Sequence, residues 1–281
     1  MSRYLGIDID KVLYDVCLDI SIAAEYSPRG MAVKELIAPT VVITNPTRCF
    51  VCNPARKLKL KYIAAEMLWY FSGELSIDNI KDYASTWVSI AKDGKAHSNY
   101  GNMVFHQKLD NYSGNQFNWA VESLIKDKHS RQALINFNQP WHKIEGVADF
   151  PCAIAVQYFI RDDYLIAITH MRSNDLIYGF CNDFPFFSFL QQLLYIRLLK
   201  EYPTLCLGSN IHIANSLHVY EKHYDMMSKI LDNYNMINQK DTVILLDLST
   251  HSFDDIYFDI VNKTVHSNFV RQLYEIRDKN N

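Results

Sequence analysis

The feature that most restricts the possible folds is a long segment, residues 184–199, that is apolar on nearly all sides. A helix without a polar face has to be buried, so this segment is predicted to form a buried helix. Strand-like runs lie on both sides of it in the sequence, at residues 133–137, 153–160, 164–170 and 205–214. Because strands and helices do not alternate strictly, the chain is predicted to be α+β.

The other predicted elements are shorter and are separated by polar turns. Repeats, low-complexity tracts and Gly/Ser linkers are absent from the sequence, so no boundary is indicated and a single domain is expected over residues 1–281. Further helices are predicted at residues 10–25, 58–71, 117–126, 217–231 and 265–277, and further strands at residues 36–43, 49–51 and 243–248.

Composition and charge restrict the class of partner. The formal net charge of −3 argues against polymeric nucleic acid, which is held mainly by accumulated lysine and arginine. A small anionic ligand needs only a few placed arginines. No apolar stretch reaches the ~18–20 residues of a membrane span, and no signal-type segment follows Met1. The protein is therefore expected to be cytoplasmic, in the host cytoplasm if it is viral.

Six cysteines in 281 residues are too few for a disulfide framework, so reduced thiols are expected. Cys49 and Cys52 form one Cys-x-x-Cys pair with no second pair near it. We favour two small residues on a strand over a metal or redox site, and no metal is expected.

Several short motifs carry candidate chemistry. A cysteine is a potential nucleophile, and an arginine beside a hydroxyl suits phosphate oxygens. A carboxylate in an apolar helix, such as Glu66, costs free energy to bury unless it has partners, which marks it as a functional candidate. The motifs are, in chain order, Pro151-Cys152, Gln157-Tyr158, Arg172-Ser173-Asn174-Asp175, Gly179, Asn182-Asp183 and Ser216-Leu217-His218-Val219-Tyr220.

These motifs, in this order, resemble those of the thymidylate synthase superfamily, and within it the phage-type deoxycytidylate hydroxymethylases. The resemblance extends from about residue 27 to residue 223. It implies a thymidylate synthase-like fold in which helices pack on a mixed β-sheet and one sheet face forms the interface of a homodimer. It also implies a pyrimidine nucleoside monophosphate as substrate and 5,10-methylenetetrahydrofolate as co-substrate.

The resemblance implies covalent catalysis by Cys152. Its thiolate would add to C6 of the pyrimidine, which turns C5 into a carbon nucleophile that accepts the one-carbon unit of the folate. Nearby arginines are expected to favour the thiolate by lowering the pKa of the thiol. The alternative, from the residue alone, is a buried structural cysteine.

The nucleotide-binding residues also follow from the resemblance. Arg172 and Ser173 match the pair that binds the phosphate, and Arg29 matches an arginine of a flexible phosphate loop. His218 and Tyr220 match the pair that holds the sugar hydroxyl, and their alternation on a strand or at the entry of a helix would let both reach one ligand.

The proton-transfer and folate-side residues form a second group. Glu66 resembles the glutamate that orders water and shuttles protons around the pyrimidine, and Tyr100 the tyrosine that assists removal of the C5 proton. Trp87, Asp175 and Gly179 correspond to the folate side of the site. For Trp87, packing in the core is a serious alternative.

Arg131 resembles an arginine that family members contribute across the twofold interface to the partner's site, which implies a homodimer. Gln132 stands where many relatives carry a second arginine, so one positive charge is missing. Arg48 and Arg56 are candidates to replace it, with solvated surface charge as the alternative for each.

Asp183 stands where thymidylate synthases carry an asparagine that reads uracil. Cytosine offers an N4 amino donor beside an N3 acceptor, which a carboxyl group can match with one accepting oxygen and one shared proton. An ionised aspartate facing uracil O4 would place two hydrogen-bond acceptors against each other, at a cost on the order of 1–3 kcal/mol. The substrate is therefore predicted to be dCMP, and sharing a proton with N3 would aid catalysis. Capping of a helix that begins at residue 184 is the structural alternative.

The final step is predicted to be addition of water, which gives 5-hydroxymethyl-dCMP. The overall similarity to hydroxymethylases supports water, as do the polar residues 277–281, which would close a site poorly, and Ala153 in place of a common histidine. Hydride transfer, as in a dCMP methyltransferase or a thymidylate synthase, and hydroxymethylation of CMP remain alternatives.

Two other classes compete with this hypothesis. Asp8-x-Asp10 resembles the motif of haloacid dehalogenase-like phosphatases, with Asp254-Asp255 as a distant acidic pair for Mg²⁺. That class leaves the motifs from Cys152 to Tyr220 unexplained. A binding protein without activity would use the basic run at residues 56–61, but alternation with leucine predicts one solvated face.

Overall fold

A computed structural model describes residues 2–237 and 250–279 of the chain. Two mixed β-sheets and eight α-helices form most of this part. The helices are α1 Ile9–Ser21, α2 Leu60–Ser72, α3 Thr86–Ile90, α4 Gln116–Lys126, α5 Cys181–Leu198, α6 Tyr224–Asp232, α7 Phe253–Asn262 and α8 Asn268–Asp278. The strands are β1 Arg3–Gly6, β2 Glu25–Tyr26, β3 Val33–Ile37, β4 Thr40–Ile43, β5 Leu134–Asn136, β6 Ala153–Arg161, β7 Tyr164–Met171, β8 Asn174–Asp175, β9 Cys206–Ala214 and β10 Ser216–Tyr220. The predicted α+β class is confirmed.

The larger sheet has the strand order β1-β4-β9-β7-β6-β5 and the smaller one β2-β3-β10-β8. Parallel pairs (β1 with β4, β7 with β9) occur beside antiparallel ones, so the larger sheet is mixed. Asp162 and Asp163, both with positive φ, turn β6 into β7, the backbone geometry that a tight hairpin needs. The smaller sheet joins β10 to β8 in parallel, which brings the motifs at residues 172–175 and 216–220 together.

Helix α5 is buried along nearly its whole length, as predicted, and it packs on the larger sheet. Between Leu165 and Ala167 the register of β7 against β9 shifts. The side-chain amide of Gln191, on α5, donates there to the carbonyl oxygens of Leu165 (2.9 Å), Gly208 (3.1 Å) and Ser209 (3.2 Å). A buried polar residue of α5 thus hydrogen-bonds to backbone groups at the irregularity.

Several predicted elements differ from the structure. The helix predicted at residues 217–231 is wrong over its first part, because β10 occupies Ser216–Tyr220 and α6 starts only at Tyr224. The strand predicted at 36–43 is broken at Ala38, whose φ of 52° separates β3 from β4. Residues 49–51 are buried but form no strand, and α7 was not predicted. The strand predicted at 243–248 lies outside the described residues.

The first acidic motif has a structural role in the fold. The Asp8 side chain caps α1 by accepting from the backbone N–H of Lys11 (3.0 Å), and the Asp10 carboxylate accepts from the backbone N–H groups of Cys52 (2.8 Å) and Asn53 (3.0 Å). Within residues 2–237 and 250–279, no group of three or more His, Cys, Asp or Glu side chains is arranged to hold a metal ion. The phosphatase alternative therefore has no support from the structure.

One hydrophobic cluster draws residues from both ends of the described chain, from Tyr4 on β1 to Leu273 on α8. The organisation as one domain over residues 1–281 stays a prediction. Among the helices that the structure describes, none is long and apolar enough to cross a membrane.

Replacing Gly101 by alanine should destabilise the fold strongly. A Cβ at Gly101 would lie 1.9 Å from the carbonyl oxygen of Tyr70, so α2 or the segment after Tyr100 would have to move. We expect a loss of at least about 3 kcal/mol in the free energy of unfolding, measured by urea denaturation. Gly146→Ala is the control: φ is +73° there but no atom lies within 4 Å, so the loss should be only about 1 kcal/mol. Equal losses for both variants would contradict the steric argument.

Candidate active site

Cys152 directly precedes β6, and the pairing of β6 with β7 places Arg172 beside it. The backbone N–H of Arg172 donates to the Cys152 carbonyl oxygen at 2.8 Å, which places the two side chains together. Nη2 of Arg172 lies 3.5 Å from the Cys152 sulfur, and the same guanidinium donates to the carbonyl oxygens of Phe150 (2.8 Å) and Pro151 (3.0 Å). The arginine is therefore fixed beside the thiol by the backbone that precedes it.

Burial raises the pKa of the Cys152 thiol, although the charges of Arg172 and Arg29 oppose the rise. The negative charges of Asp183 and Asp149 raise it further. The expectation that arginines lower this pKa was correct for their own effect and wrong for the net result. Without ligand the thiol is mainly protonated near neutral pH.

The predicted sugar residues share one strand. His218 and Tyr220 lie on β10 with ring centroids 5.0 Å apart and ring planes nearly perpendicular. Nδ1 of His218 lies 3.3 Å from the Ser216 hydroxyl, which donates to Glu35. Alternation on a strand brings the two rings to one side, as predicted, although a helix was predicted for most of this segment.

Arg29 sits at the tip of the turn Pro28–Gly30 with φ 54°, and its side chain is exposed. Its positive charge lowers the pKa of the Tyr220 hydroxyl, against the larger effect of burial, and acts on Cys152 in the same direction. Arg29 therefore belongs to the same site. Ser173, partly buried, directly follows Arg172 and completes the group predicted to bind phosphate.

Asp183 lies in the first turn of α5, not at its cap, because the helix begins at Cys181 and Phe180 is the N-cap residue. The amide nitrogen of Asn174, on β8, donates to Oδ2 of Asp183 at 2.9 Å. Gly179 leaves room for this amide, since a Cβ there would lie 2.8 Å from Nδ2 of Asn174. Desolvation raises the pKa of Asp183 to about 7, with a smaller contribution from the charge of Asp175.

Glu66, on α2, is buried, and no lysine, arginine or histidine of residues 2–237 and 250–279 forms an ion pair with it. The Tyr62 hydroxyl donates to Oε1 of Glu66 and accepts from the indole N–H of Trp87 at 3.3 Å. Desolvation raises the pKa of Glu66 to about 8, and the negative charge of Asp183 adds to the rise. Tyr62, with Trp87 behind it, thus supports the carboxyl group of Glu66, and these two contacts were not predicted from the sequence.

Tyr100 reaches the same site from the segment after α3. Its hydroxyl oxygen accepts from the backbone N–H of Ala153 at 3.1 Å, and its ring stacks on Tyr70 at 5.5 Å. Burial and the charges of Asp183 and Cys152 raise the pKa of Tyr100 well above its usual range. The four predicted catalytic residues, Cys152, Glu66, Tyr100 and Asp183, are therefore brought together.

The predicted folate-side residues all have contacts within the fold. Trp87 is 9% exposed and packs edge-on against Trp69 at 4.7 Å, so core packing accounts for much of its surface. The Asp175 carboxylate accepts from the backbone N–H groups of Ile177 and Tyr178, both at 3.1 Å, and remains partly exposed.

The other arginines are separate from the Cys152 thiol. Arg131 is exposed before β5, and its carbonyl oxygen accepts from the Gln157 side chain at 2.7 Å. Arg56 is buried and donates to the Ile177 carbonyl oxygen (2.6 Å) and to Asn182 (2.8 Å), so its interpretation as solvated surface charge was wrong. Arg48 lies 3.6 Å from the carboxylate of Asp8.

Glu66→Gln should stabilise the ligand-free protein, increasingly so as pH rises. With a native pKa of about 8, Glu66 keeps its proton in the folded protein, whereas the unfolded chain loses this proton above the ordinary pKa of 4.5. Ionisation in the unfolded chain therefore favours unfolding increasingly as pH rises from 4.5 to about 8. We expect a gain of a few kcal/mol near pH 8 and almost none near pH 4.5, measured as the urea unfolding free energy. Glu275→Gln, at an exposed position of α8, is the control. A gain from Glu66→Gln that is flat with pH would contradict the argument.

Comparison with known proteins agrees with this geometry. Residues 29–267 match the family model described as thymidylate synthase. The chain is 33% identical over 203 residues to a protein named deoxycytidylate 5-hydroxymethyltransferase from Enterobacteria phage T6, covering 69% of this chain and 78% of that one. The protein of the same name from Enterobacteria phage T4 is 31% identical over 206 residues, with the same coverage.

A third relative, named deoxyuridylate hydroxymethyltransferase, comes from Delftia phage PhiW-14. It is 28% identical over 206 residues, which are 67% of this chain and 54% of that protein. The names of these relatives thus differ in the pyrimidine. The family match covers the site from Arg29 to Tyr220. The chain therefore belongs to the thymidylate synthase family.

Proposed function

We propose that this enzyme transfers a one-carbon unit from 5,10-methylenetetrahydrofolate to C5 of dCMP and adds water, giving 5-hydroxymethyl-dCMP. The observation that carries the proposal is the pairing of Asp183 with the amide of Asn174 in the site of the Cys152 thiol. The two phage relatives named deoxycytidylate 5-hydroxymethyltransferase support it.

Substrate binding begins with the phosphate. Arg172 and Ser173 are proposed to bind its oxygens, and exposed Arg29 to close on it from the turn Pro28–Gly30. His218 and Tyr220 are proposed to hold the 3′-hydroxyl of the sugar. Their nearly perpendicular rings present an imidazole nitrogen and a phenol on the same strand. Bound this way, the base would extend toward Cys152 and Asp183.

Asp183 is proposed to read the cytosine edge. With a pKa of about 7, its carboxyl carries a proton in much of the population at neutral pH. Because Oδ2 accepts from Asn174, the proton is expected on Oδ1, which can donate to N3 while Oδ2 also accepts from the N4 amino group. The proton at N3 would draw electrons from the ring as the Cys152 sulfur bonds to C6.

Formation of the thiolate is the first chemical requirement. Arg172, 3.5 Å from the sulfur, is placed to stabilise the thiolate at the moment of attack, although burial keeps the resting thiol protonated. Tyr100, whose pKa lies well above its usual range, stays a phenol and is proposed to relay the C5 proton. Glu66, with a pKa of about 8, can release and recover a proton near neutral pH and is proposed to accept it.

The folate would supply a carbon at the oxidation level of formaldehyde. The donor set fits this group in part: the partly exposed carboxylate of Asp175 retains lone pairs for pterin N–H groups, while Trp87, 9% exposed, offers little accessible ring surface. Loss of the C5 proton would break the bond between the transferred carbon and the folate nitrogen, so that tetrahydrofolate leaves and an exocyclic methylene remains at C5. Glu66, held by Tyr62, is proposed to orient the water that adds to this methylene. The bond between the Cys152 sulfur and C6 would then break and release the product.

The product of the reaction tests the proposal directly. Incubation with dCMP and 5,10-methylenetetrahydrofolate should give a nucleotide heavier by CH2O, measured by mass spectrometry, and release tritium from 5-tritiated dCMP. Cys152→Ala should abolish both signals, while Cys206→Ala, at an exposed position, should leave them intact. A gain of CH2 would instead mean hydride transfer, and faster turnover of dUMP than of dCMP would contradict the assignment of the base.

The enzyme is also proposed to act as a homodimer. The face of the larger sheet that carries exposed Leu5 also carries its register neighbours Val42, Ile211 and Ile168, which are apolar. Leu5 is 59% exposed, Ile168 and Ile211 are partly exposed and Val42 is buried, so the accessible apolar surface there comes from three of the four residues. Arg131, exposed beside the same sheet, is proposed to reach the phosphate of the partner's site.

Mixing two inactive variants should restore activity if Arg131 acts across the interface. In a dimer of Arg131→Ala and Cys152→Ala chains, one site contains both intact residues and the other contains neither. Random reassociation should therefore recover about a quarter of wild-type activity. The control mixture, Cys152→Ala with a chain that carries both substitutions, should stay inactive. No recovery in the first mixture, with dimers verified by sedimentation, would place Arg131 outside the partner's site.

A further inference from the structure

A hydrogen-bonded line of three side chains connects the middle of the larger sheet to Asp183. Nε2 of His212, on β9, lies 3.2 Å from Oδ1 of Asn174, whose amide nitrogen donates to Oδ2 of Asp183 at 2.9 Å. His212 and Asn174 are 1% and 3% exposed. The line ends on the carboxyl group proposed to read the base.

The donors and acceptors along this line fit one arrangement. Burial lowers the pKa of His212 to about 3, so the ring is neutral and carries one N–H. That hydrogen belongs on Nε2, because Nε2 faces a carbonyl oxygen while Nδ1 has no hydrogen-bond partner in the part of the chain described. A buried lone pair without a partner costs less than a buried N–H without one. The Asn174 amide therefore turns its NH2 group to Asp183.

This orientation matters because a protonated carboxyl group can match either pyrimidine. With the proton on one carboxyl oxygen, its donor and acceptor complement cytosine, and with the proton on the other oxygen they complement uracil. The N–H of Asn174 makes Oδ2 of Asp183 an acceptor and leaves Oδ1 for the proton. If the amide rotated by half a turn, its carbonyl oxygen would require a proton on Oδ2, and the order would reverse.

We propose that His212 is a specificity-determining positioning residue, which acts through Asn174 to fix the oxygen of Asp183 that carries the proton. The inference rests on the proposed use of Asp183 to read cytosine. His212 does not touch the base. Its ring packs against Phe180 at 5.0 Å and Phe187 at 6.4 Å, which keeps Nε2 directed at Asn174.

The packing around Asn174 restricts its amide group further. A Cβ on Gly179 would lie 2.8 Å from Nδ2 of Asn174, so the amide lies directly on the backbone of residue 179. Translation of the amide is thereby limited, and rotation about its terminal bond is the remaining freedom. The N–H of His212 is the group that selects between the two rotated states.

His212→Phe tests the inference, because phenylalanine keeps an aromatic ring beside Phe180 and Phe187 and removes the donor. The ratio of kcat/KM for dCMP to that for dUMP should fall at least about tenfold, mainly through a gain for dUMP. His212→Gln, whose amide can turn either its NH2 group or its carbonyl oxygen to Asn174, should give a ratio between those of wild type and His212→Phe. A structural role alone would lower both activities together and leave the ratio unchanged.

Thr169→Val is the matched control. Thr169 is the register neighbour of His212 on β7, is fully buried, and its hydroxyl has no partner within the described residues. The substitution disturbs the sheet at the same depth without touching Asn174. It should leave the ratio of dCMP to dUMP turnover within about twofold of wild type. An equal fall in Thr169→Val and His212→Phe would overturn the proposal.

Failure of this inference can be separated from failure of the proposed function. A wild-type enzyme that prefers dCMP, with an unchanged ratio in His212→Phe, overturns only the role of His212. If the wild type turns over neither nucleotide, the proposed function fails, and infrared difference spectra of the ligand-free protein test His212 instead. The carboxylic C=O band that Asp183→Asn removes should shift in frequency in His212→Phe and stay unshifted in Thr169→Val. An unshifted band in His212→Phe would overturn the inference.

Discussion

The site depends on the enclosure of two carboxyl groups, Glu66 and Asp183, neither of which has an ion-pair partner among the residues that the structure describes. Desolvation brings their pKa values to about 8 and about 7, and the charge of Asp183 adds to the rise at Glu66. Two such groups in one site do not ionise independently, because each negative charge disfavours the other. Near neutral pH the site therefore holds mobile protons. The proposed reaction, which would place one proton on the base and remove another from C5, needs this property, and the fold supplies it by excluding water.

The protein framework around these carboxyls uses hydroxyl, amide and indole groups. Tyr62 and Trp87 support Glu66 from one direction, and Asn174 supports Asp183 from another. Of the two arginines in the site, Arg29 is exposed, and Arg172 is directed at the Cys152 sulfur and at two backbone carbonyl oxygens. Positive charge is thus placed where a thiolate and a phosphate would form their contacts, and neutral donors are placed where protons have to remain exchangeable. A lysine or arginine beside Glu66 or Asp183 would hold the carboxylate ionised and remove the proton.

Much of this arrangement could be predicted from the sequence, and the exceptions have physical causes. The segment at residues 184–199, apolar on nearly all sides, predicted α5. Glu66 stood out because a carboxyl group in an apolar helix costs free energy to bury unless it has partners. Strand β10 was mistaken for a helix because Leu217, His218 and Val219 are all buried, so the alternation that marks a half-exposed strand is missing. The break at Ala38 has no glycine or proline to signal it. Helix α7 had a detectable signal, Ser252 three residues before Asp255, and Ser252 does cap it. The direction of the thiol pKa required the burial of Cys152, which no motif contains.

The distinction between a motif and a network is clearest at Asp183. An aspartate by itself does not specify cytosine, because a protonated carboxyl presents a donor and an acceptor in an order that depends on which oxygen holds the hydrogen. The order is set by Asn174, nine residues before Asp183 and on a different element. Asn174 faces the same ambiguity, since an amide also has two ends, and His212 on a third element faces its oxygen. The ambiguity ends at His212 because burial keeps the ring neutral and Nδ1 lacks a partner in the described structure, which assigns the hydrogen to Nε2. Under the proposed function, selectivity for a base would in this way be a property of strands β8 and β9 and helix α5 packed together, and Asp183, the residue proposed to contact the base, would be the last member of the line.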